Sequence, residues 1–308
     1  MRSKRAALFI STTATALGLS VLSATPAVAP LLNIDVVAVN NRGIPVEDLK
    51  PGEFELWING FQVPIETVTF ITPSKPERPR TIVLLLDDVA VNPTMTPRVR
   101  EAARRFVNRL SPGDRLAVVS LDGAAMKSTD DRAILLKAIE DYHVRAFPTR
   151  LEDLFAHVLS TVATLSRQLS ESSEGRKAIV AIGAGWLFDT PIQPQTISRD
   201  LRPEWVDAMR ATAAAHASLY VIDPAGVGMR PANAGTSGFA RETGGHAFLN
   251  TNDINGAVDR ILRELDRYYV LSAQDPPVGR KADLREVEVK VLRRGVTARA
   301  RRGIPPGA

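Results

Sequence analysis

Hydrophobic positions along the chain change their period twice. Residues 33–40 alternate about Ile34 and Val36 and break at Asn41-Arg42-Gly43. Residues 53–58 and 61–70 flank Asn59-Gly60, a pair that tolerates positive φ and marks a hairpin. This predicts a three-stranded meander, too small to bury a core without a partner. Residues 71–80 are polar with three prolines and read as a linker.

Strand and helix patterns then alternate. Residues 81–86 form an uninterrupted apolar run into Asp87-Asp88, as in a central parallel strand covered on both faces. A helix is expected from Thr96-Pro97, with Thr96 as cap and Val99, Ala103, Phe106 and Leu110 inward; Ser111-Pro112-Gly113 stops it. Residues 115–121 give the next strand, and Asp130 reads as the cap of a helix through Ile134, Leu135 and Ile139. After Thr149, Leu151, Leu154, Phe155, Val158, Val162, Leu165 and Leu169 make one helical stripe. Strands at 178–182, 218–222 and 247–249 are interleaved with helices at 204–216 and from about Asp253. The pattern predicts an α/β unit with a doubly wound, mainly parallel sheet.

From Tyr268 the period returns to two, and Val287, Val289 and Val291 alternate with charged residues. Neither set of flanking strands can stand alone. They are expected to form one small β-domain with the α/β unit inserted between them. Two separate β appendages are the alternative. The division is therefore 1–29, 30–75, 76–267 and 268–308, the last packing with the second.

The first of these segments has its own chemistry. Arg2, Lys4 and Arg5 precede an uncharged apolar stretch at 6–22, and Ala24-Thr25-Pro26-Ala27-Val28-Ala29 follows. This is the three-part layout of a secretory signal, so a periplasmic or secreted protein is expected. Pro30 hinders cleavage after Ala29, which leaves cleavage after Ala24 or Ala27, or an uncleaved N-terminal membrane anchor, as alternatives. No other apolar run approaches the ~20 residues of a membrane helix. Cysteine is absent, which removes disulfides, thiolate metal sites and a Cys nucleophile. A net charge of +5 with 6% aromatics lacks the continuous basic face and stacking platform of a nucleic-acid binder, and no such partner is expected.

Several segments, in this order and spacing, resemble the VWFA-related domain proteins found chiefly in acidobacteria. They are Val36-Val37-Ala38-Val39, Arg42-Gly43 with Pro45-Val46 and Leu49, and Glu53-Phe54-Glu55-Leu56 with Asn59-Gly60. Arg80 through Asp88, Gly113 through Val118, Glu242-Thr243-Gly244-Gly245, Tyr268 through Leu271 and Arg299 through Gly303 complete the set. The resemblance implies a von Willebrand factor A-like fold with flanking strands; it implies no activity.

Domains of that type commonly hold a divalent cation at the carboxyl ends of the strands, through Asp-x-Ser-x-Ser, a Thr before a central helix and an Asp after the fourth strand. Mg²⁺ takes about six oxygens at ~2.1 Å. Here Asp87 and Thr149 match, whereas Val89 and Val91 stand at the serine positions and Ala184 at the last Asp. Starting instead at Asp88 offers only Ala90 and Asn92, and nothing local draws in Asp189. The expectation is a degenerate metal-ion-dependent adhesion site without a bound metal or other cofactor. Asp87 and Asp88 would cap loop amides and Thr149 its helix, with Asp87, Asp88 and Thr149 as residual candidates should Mg²⁺ bind. The strand carboxyl ends remain the expected binding rim, with Asp88, Asn92, Thr149 and Trp186 as partner-binding candidates. Trp186 is either a contact hot spot or a lid on the sheet.

The four histidines, His143, His157, His216 and His246, form no HxxxH or HExxH pair. Gly235-Thr236-Ser237-Gly238 lacks the GxSxG frame, and Gly244-Gly245 reads as a helix C-cap. No nucleophile, base and orienting group stand at usable spacing, so no catalytic residue is assigned. A non-enzymatic module for a protein or cell-surface ligand is the leading expectation. A cation-dependent adhesion module using Asp87 and Thr149, an enzyme, and a structural envelope protein are the alternatives. If the signal reading holds, mass spectrometry of the exported protein finds an N-terminus between Thr25 and Pro30. Intact Met1 on soluble cytoplasmic protein contradicts it.

Overall fold

The computed structural model describes residues 31–72, 79–122, 127–145, 151–172, 175–183, 200–228, 234–274 and 284–304. At its centre lies a five-stranded parallel sheet. Its strands are β5 (Thr81–Leu86), β6 (Arg115–Ser120), β7 (Lys177–Ile182), β8 (Ala217–Ile222) and β9 (Ala247–Phe248), in the order β6-β5-β7-β8-β9. The apolar run of β5 has no polar interruption because each face is covered. Ile82, Leu84 and Leu86 pack under α1 (Thr96–Asn108), α2 (Arg132–Asp141) and α6 (Ile254–Asp266). Val83 and Leu85 face α3 (Leu151–Ser170), α4 (Arg202–Ala214) and α5 (Ala234–Glu242). The fold class expected from the pattern is the one found: α/β, doubly wound, with antiparallel strand sheets beside it.

Two helix starts differ from expectation. Asp131, not Asp130, caps α2, its carboxylate accepting from the amides of Ala133 and Ile134. Thr96 lies inside α1, and the polar cap stands further back, where Asn92 closes a 3₁₀ turn at Pro93–Met95. Either of two adjacent aspartates satisfies a sequence rule; the geometry of the preceding turn selects one.

The flanking strands make two four-stranded antiparallel sheets. One runs β12 (Val296–Ala300), β1 (Leu31–Asn40), β10 (Tyr268–Gln274), β4 (Ile65–Ile71); the other runs β13 (Gly303–Ile304), β11 (Arg285–Val291), β2 (Phe54–Ile58), β3 (Phe61–Val63). The predicted hairpin is β2–β3, with Asn59 at φ 51° and Gly60 at φ 79°. The predicted meander is not formed. β1 pairs with β10 and β12 instead of β2. The segment 61–70 is two strands rather than one: Pro64 stands between β3 and β4, and they lie in different sheets. A proline cannot donate to a ladder, so the chain turns the corner there. Nor does the linker begin at Ile71, which pairs with Tyr268.

Between the two sheets lie Leu32, Ile34, Val36, Phe54, Leu56, Ile58, Tyr269, Leu271 and Val287. Tyr269 pins this core: its hydroxyl donates to Val46 O (2.8 Å) and accepts the Leu49 amide (3.1 Å), while its ring meets Phe54 and Phe70 at 5.1 and 4.8 Å. The other face of β1 and β10 is covered as well, by contacts of Val37, Val39, Tyr268 and Val270 with Ile71.

Arginines line the junction between the sandwich and the amino ends of the parallel strands. Arg80, just before β5, pairs with Asp114 and, at 2.5 Å, with Asp266. Arg176, just before β7, pairs with Asp35 of β1 and lies 4.6 Å over the Tyr268 ring. From β12, Arg299 reaches the fully buried Glu264 of α6 at 2.5 Å and the Gly245 carbonyl at 2.9 Å. Arg301 donates to the carbonyls of Thr212 (2.7 Å) and Ala217 (3.0 Å). Gly244, at φ 80°, ends α5, and the Gly245 amide returns to Ala240 O at 2.9 Å in the expected C-cap. A Cβ on Gly245 would sit 1.8 Å from the Leu219 carbonyl oxygen, so no larger residue fits. Among the described residues no helix is long and apolar enough to cross a membrane.

Because β10 is hydrogen-bonded to both β1 and β4, a chain ending at Arg267 loses the centre of its sheet. Limited proteolysis of that truncation then cuts within residues 31–71 while the α/β unit stays protected. Protection of 31–71 contradicts the shared-sheet account.

Candidate functional site at the strand carboxyl ends

Since the sandwich lies at the amino ends, the opposite edge of the parallel sheet carries the loops after β5, β6, β7 and β8. In-register pairing brings these strand ends side by side, with Leu86 between Ser120 and Ile182, and Ile182 beside Ile222. The strand order changes direction at β5, where ligands of open α/β sheets usually lie. Asp87 and Asp88 therefore stand at the switch point.

Both carboxylates are buried, 0 and 1% exposed. Asp87 Oδ1 accepts from the amides of Val89 (3.1 Å) and Ala90 (2.7 Å), closing the turn that leads to α1. Asp88 Oδ1 accepts the Asp122 amide at 3.3 Å, tying the β5 end to the β6 end. Its burial removes Asp88 from direct contact with a partner, whereas Asn92 is exposed. Asn92 Oδ1 is itself engaged, by the Thr94 amide (3.0 Å) and hydroxyl (2.8 Å). Thr149, Ala184, Trp186 and Asp189 lie outside the described residues.

The described residues at the motif positions do not fit a hard cation. Val91 is 4% exposed within the core beneath α1 and α6, and Val89 packs against the core on the other face. Aliphatic groups at positions that should supply hydroxyl oxygens cannot replace a hydration shell. Among the described residues no group of three or more His, Asp or Glu is arranged to hold a metal ion.

Three rim residues escaped the sequence reading. Asp223, at the end of β8, is 6% exposed, and its Oδ1 accepts the Ala225 amide at 2.9 Å. Tyr142, 3% exposed, donates its hydroxyl to Asp87 O at 2.7 Å. Burial, and then the charges of Asp87 and Asp88, push this phenol well above its ordinary range, so it stays a donor. Arg145 donates its amide to Asp88 O at 2.6 Å and its Nη1 to Asp122 Oδ2 at 3.2 Å. Only Asp223 had a sequence signal, an Asp closing an apolar strand; contacts across 23 to 57 residues leave none.

Three of the histidines make local structural contacts. His157 Nε2 bonds the Leu121 carbonyl at 3.0 Å, His143 Nδ1 bonds Asp141 O at 2.9 Å, and His246 meets Phe248 edge-on at 4.7 Å. Burial and the nearby Arg299 and Arg260 charges pull His246 down to about 4, so it is neutral at physiological pH.

No family model and no curated protein matches the chain. Solved structures of similar shape include a mutant of the PilB minor pilin from Streptococcus sanguinis, at 11% identity and TM-score 0.43, covering 62% of this chain and 63% of that one. Another is proximal thread matrix protein 1 from the mussel byssus with a zinc-occupied MIDAS motif, at 11% and 0.44, covering 67% of this chain and 50% of that one. The human COPII-coat protein Sec24c aligns at 9% and 0.36, covering 74% and 43%. The chain thus spans less than two thirds of each. At these scores the likeness supports no inference about residues.

The Asp87 geometry makes a direct prediction. Asp87→Ala strands the Val89 and Ala90 amides and lowers stability by about 1–2 kcal/mol in urea denaturation. The loss is the same with Mg²⁺ or with chelator. A loss seen only with Mg²⁺ present contradicts the capping role.

Proposed function

We infer that this chain is an exported, non-enzymatic binding module that takes a protein or cell-surface ligand on its carboxyl-end rim without a divalent cation. The observation that carries the reading is the engagement of Asp87: its carboxylate holds the Val89 and Ala90 amides, where a metal-dependent site would aim it at an ion. The valines beside it supply no oxygen in exchange. The sandwich at the opposite end leaves the rim as the face on which a ligand can approach the strand ends. Export rests on the N-terminal segment alone, and a periplasmic or secreted location follows from it. The absence of catalysis is argued from the chemistry of the rim: Asp87, Asp88 and Asp223 cap backbone amides, and its described histidines, His143 and His157, bond backbone carbonyls.

One observation favours a second reading, cation-dependent adhesion through Asp87 and Thr149. Asp88 Oδ2 is buried and has no hydrogen-bond partner among the described residues. Thermal melts separate the two. A site that binds only the folded state raises the midpoint as the ion is added. Millimolar Mg²⁺ or Mn²⁺ against chelator leaves the midpoint of the full chain unchanged on the first reading. A rise of several degrees, abolished by Thr149→Ala, establishes the second. Pull-down from the native envelope, with chelator throughout, then retains the partner.

A further inference from the structure

We propose that the Arg145 guanidinium is the built-in cation of the rim, balancing Asp88 and Asp122 across the ends of β5 and β6. The proposal deepens the metal-free reading and rests on it. Asp88 Oδ2 is the oxygen that needs a charge beside it. Asp88 is 1% exposed; Oδ1 accepts the Asp122 amide, and Oδ2 has no hydrogen-bond partner among the described residues. A buried carboxylate in that state needs a counter-charge. Arg145 Nε lies 3.5 Å from Asp88 Oδ2, and Nη1 of the same guanidinium donates to Asp122 Oδ2 at 3.2 Å. One cation thus spans two carboxylates from neighbouring strand ends.

The placement of Arg145 is built in two steps. Its own amide donates to Asp88 O at 2.6 Å, so the backbone is fixed beside the carboxylate it serves. Three residues earlier, Tyr142 is buried and donates to Asp87 O at 2.7 Å. Arg100 of α1 then grips the same segment, with Nε and Nη2 on Tyr142 O at 3.1 and 2.6 Å and Nη2 on Glu140 O at 2.7 Å. Residues 142–145 are therefore strapped across the end of β5. A guanidinium suits this place: it is always charged, and its planar fork meets two acceptors at once, which an ammonium does less well. With its side chain 52% exposed, Arg145 holds its charge at the surface over the buried Asp88 and the exposed Asp122.

The test compares wild type, Arg145→Gln and the double variant Arg145→Gln/Asp88→Asn in thermal melts, each with millimolar Mg²⁺ or with chelator. Arg145→Gln is expected to lower the midpoint by about 2–3 °C, and Mg²⁺ to recover part of that loss by binding the exposed carboxylates. The double variant, with no charge left to balance at Asp88, returns toward wild type and no longer responds to Mg²⁺. The wild type stays silent. Arg145→Gln melting like wild type overturns the proposal, as does a lowered midpoint that neither Mg²⁺ nor Asp88→Asn improves. In both cases a silent wild type leaves the metal-free reading standing. A wild-type midpoint that rises with Mg²⁺ overturns both.

Discussion

Burying a charge is costly unless it is paired, and that constraint organises the junction between the two halves of this molecule. Arg80 and Arg176 sit at the starts of neighbouring parallel strands, and Arg299 and Arg301 come from the last strands of the sandwich. Each finds a carboxylate or carbonyl: Arg80 meets Asp114 and Asp266 within the α/β unit, and the others reach across the junction to Asp35, Glu264, and the Thr212 and Ala217 carbonyls. Removing the sandwich would leave Arg176 with no Asp35 and Glu264 with no Arg299. The amino ends of the parallel sheet are closed by this contact. What the fold leaves for a ligand is the carboxyl end.

At that end the same rule acts on aspartates. Asp87, Asp88 and Asp223 terminate apolar strands and are almost fully buried, so each must be met by a donor. Backbone amides of Val89, Ala90, Asp122 and Ala225 supply most of what they need. The rim is acidic in sequence, yet its carboxylates are internal struts. The apolar packing of Val89 and Val91 is the complement of this arrangement: the loop gains by burying them.

Elements with a strong local period were legible in the sequence. The run of β5, the stripe of α3, the Asn59-Gly60 hairpin and the valines of β11 all lie where the pattern put them. That strands from both ends would share a core followed from counting apolar faces. Which strands pair was not legible, because β1 meets β10 across more than two hundred residues and no local rule encodes that partner. Pro64 is a visible breaker inside residues 61–70, and the strand pattern on either side of it belongs to two different sheets. At the rim, Asp87 and Asp88 were readable as caps from their position after an apolar strand. Arg145 and Tyr142 were not, since each acts on a residue more than fifty positions away with no spacing to betray it.

The central claim is that the Asp87 carboxylate belongs to the loop and not to an ion. Hydrogen exchange at the Val89 and Ala90 amides reads this directly, since both donate to Asp87 Oδ1. The account predicts equal protection of these two amides in Mg²⁺ and in chelator. Faster exchange at both on adding Mg²⁺ would mean that the carboxylate turns away to bind the ion, and would contradict it.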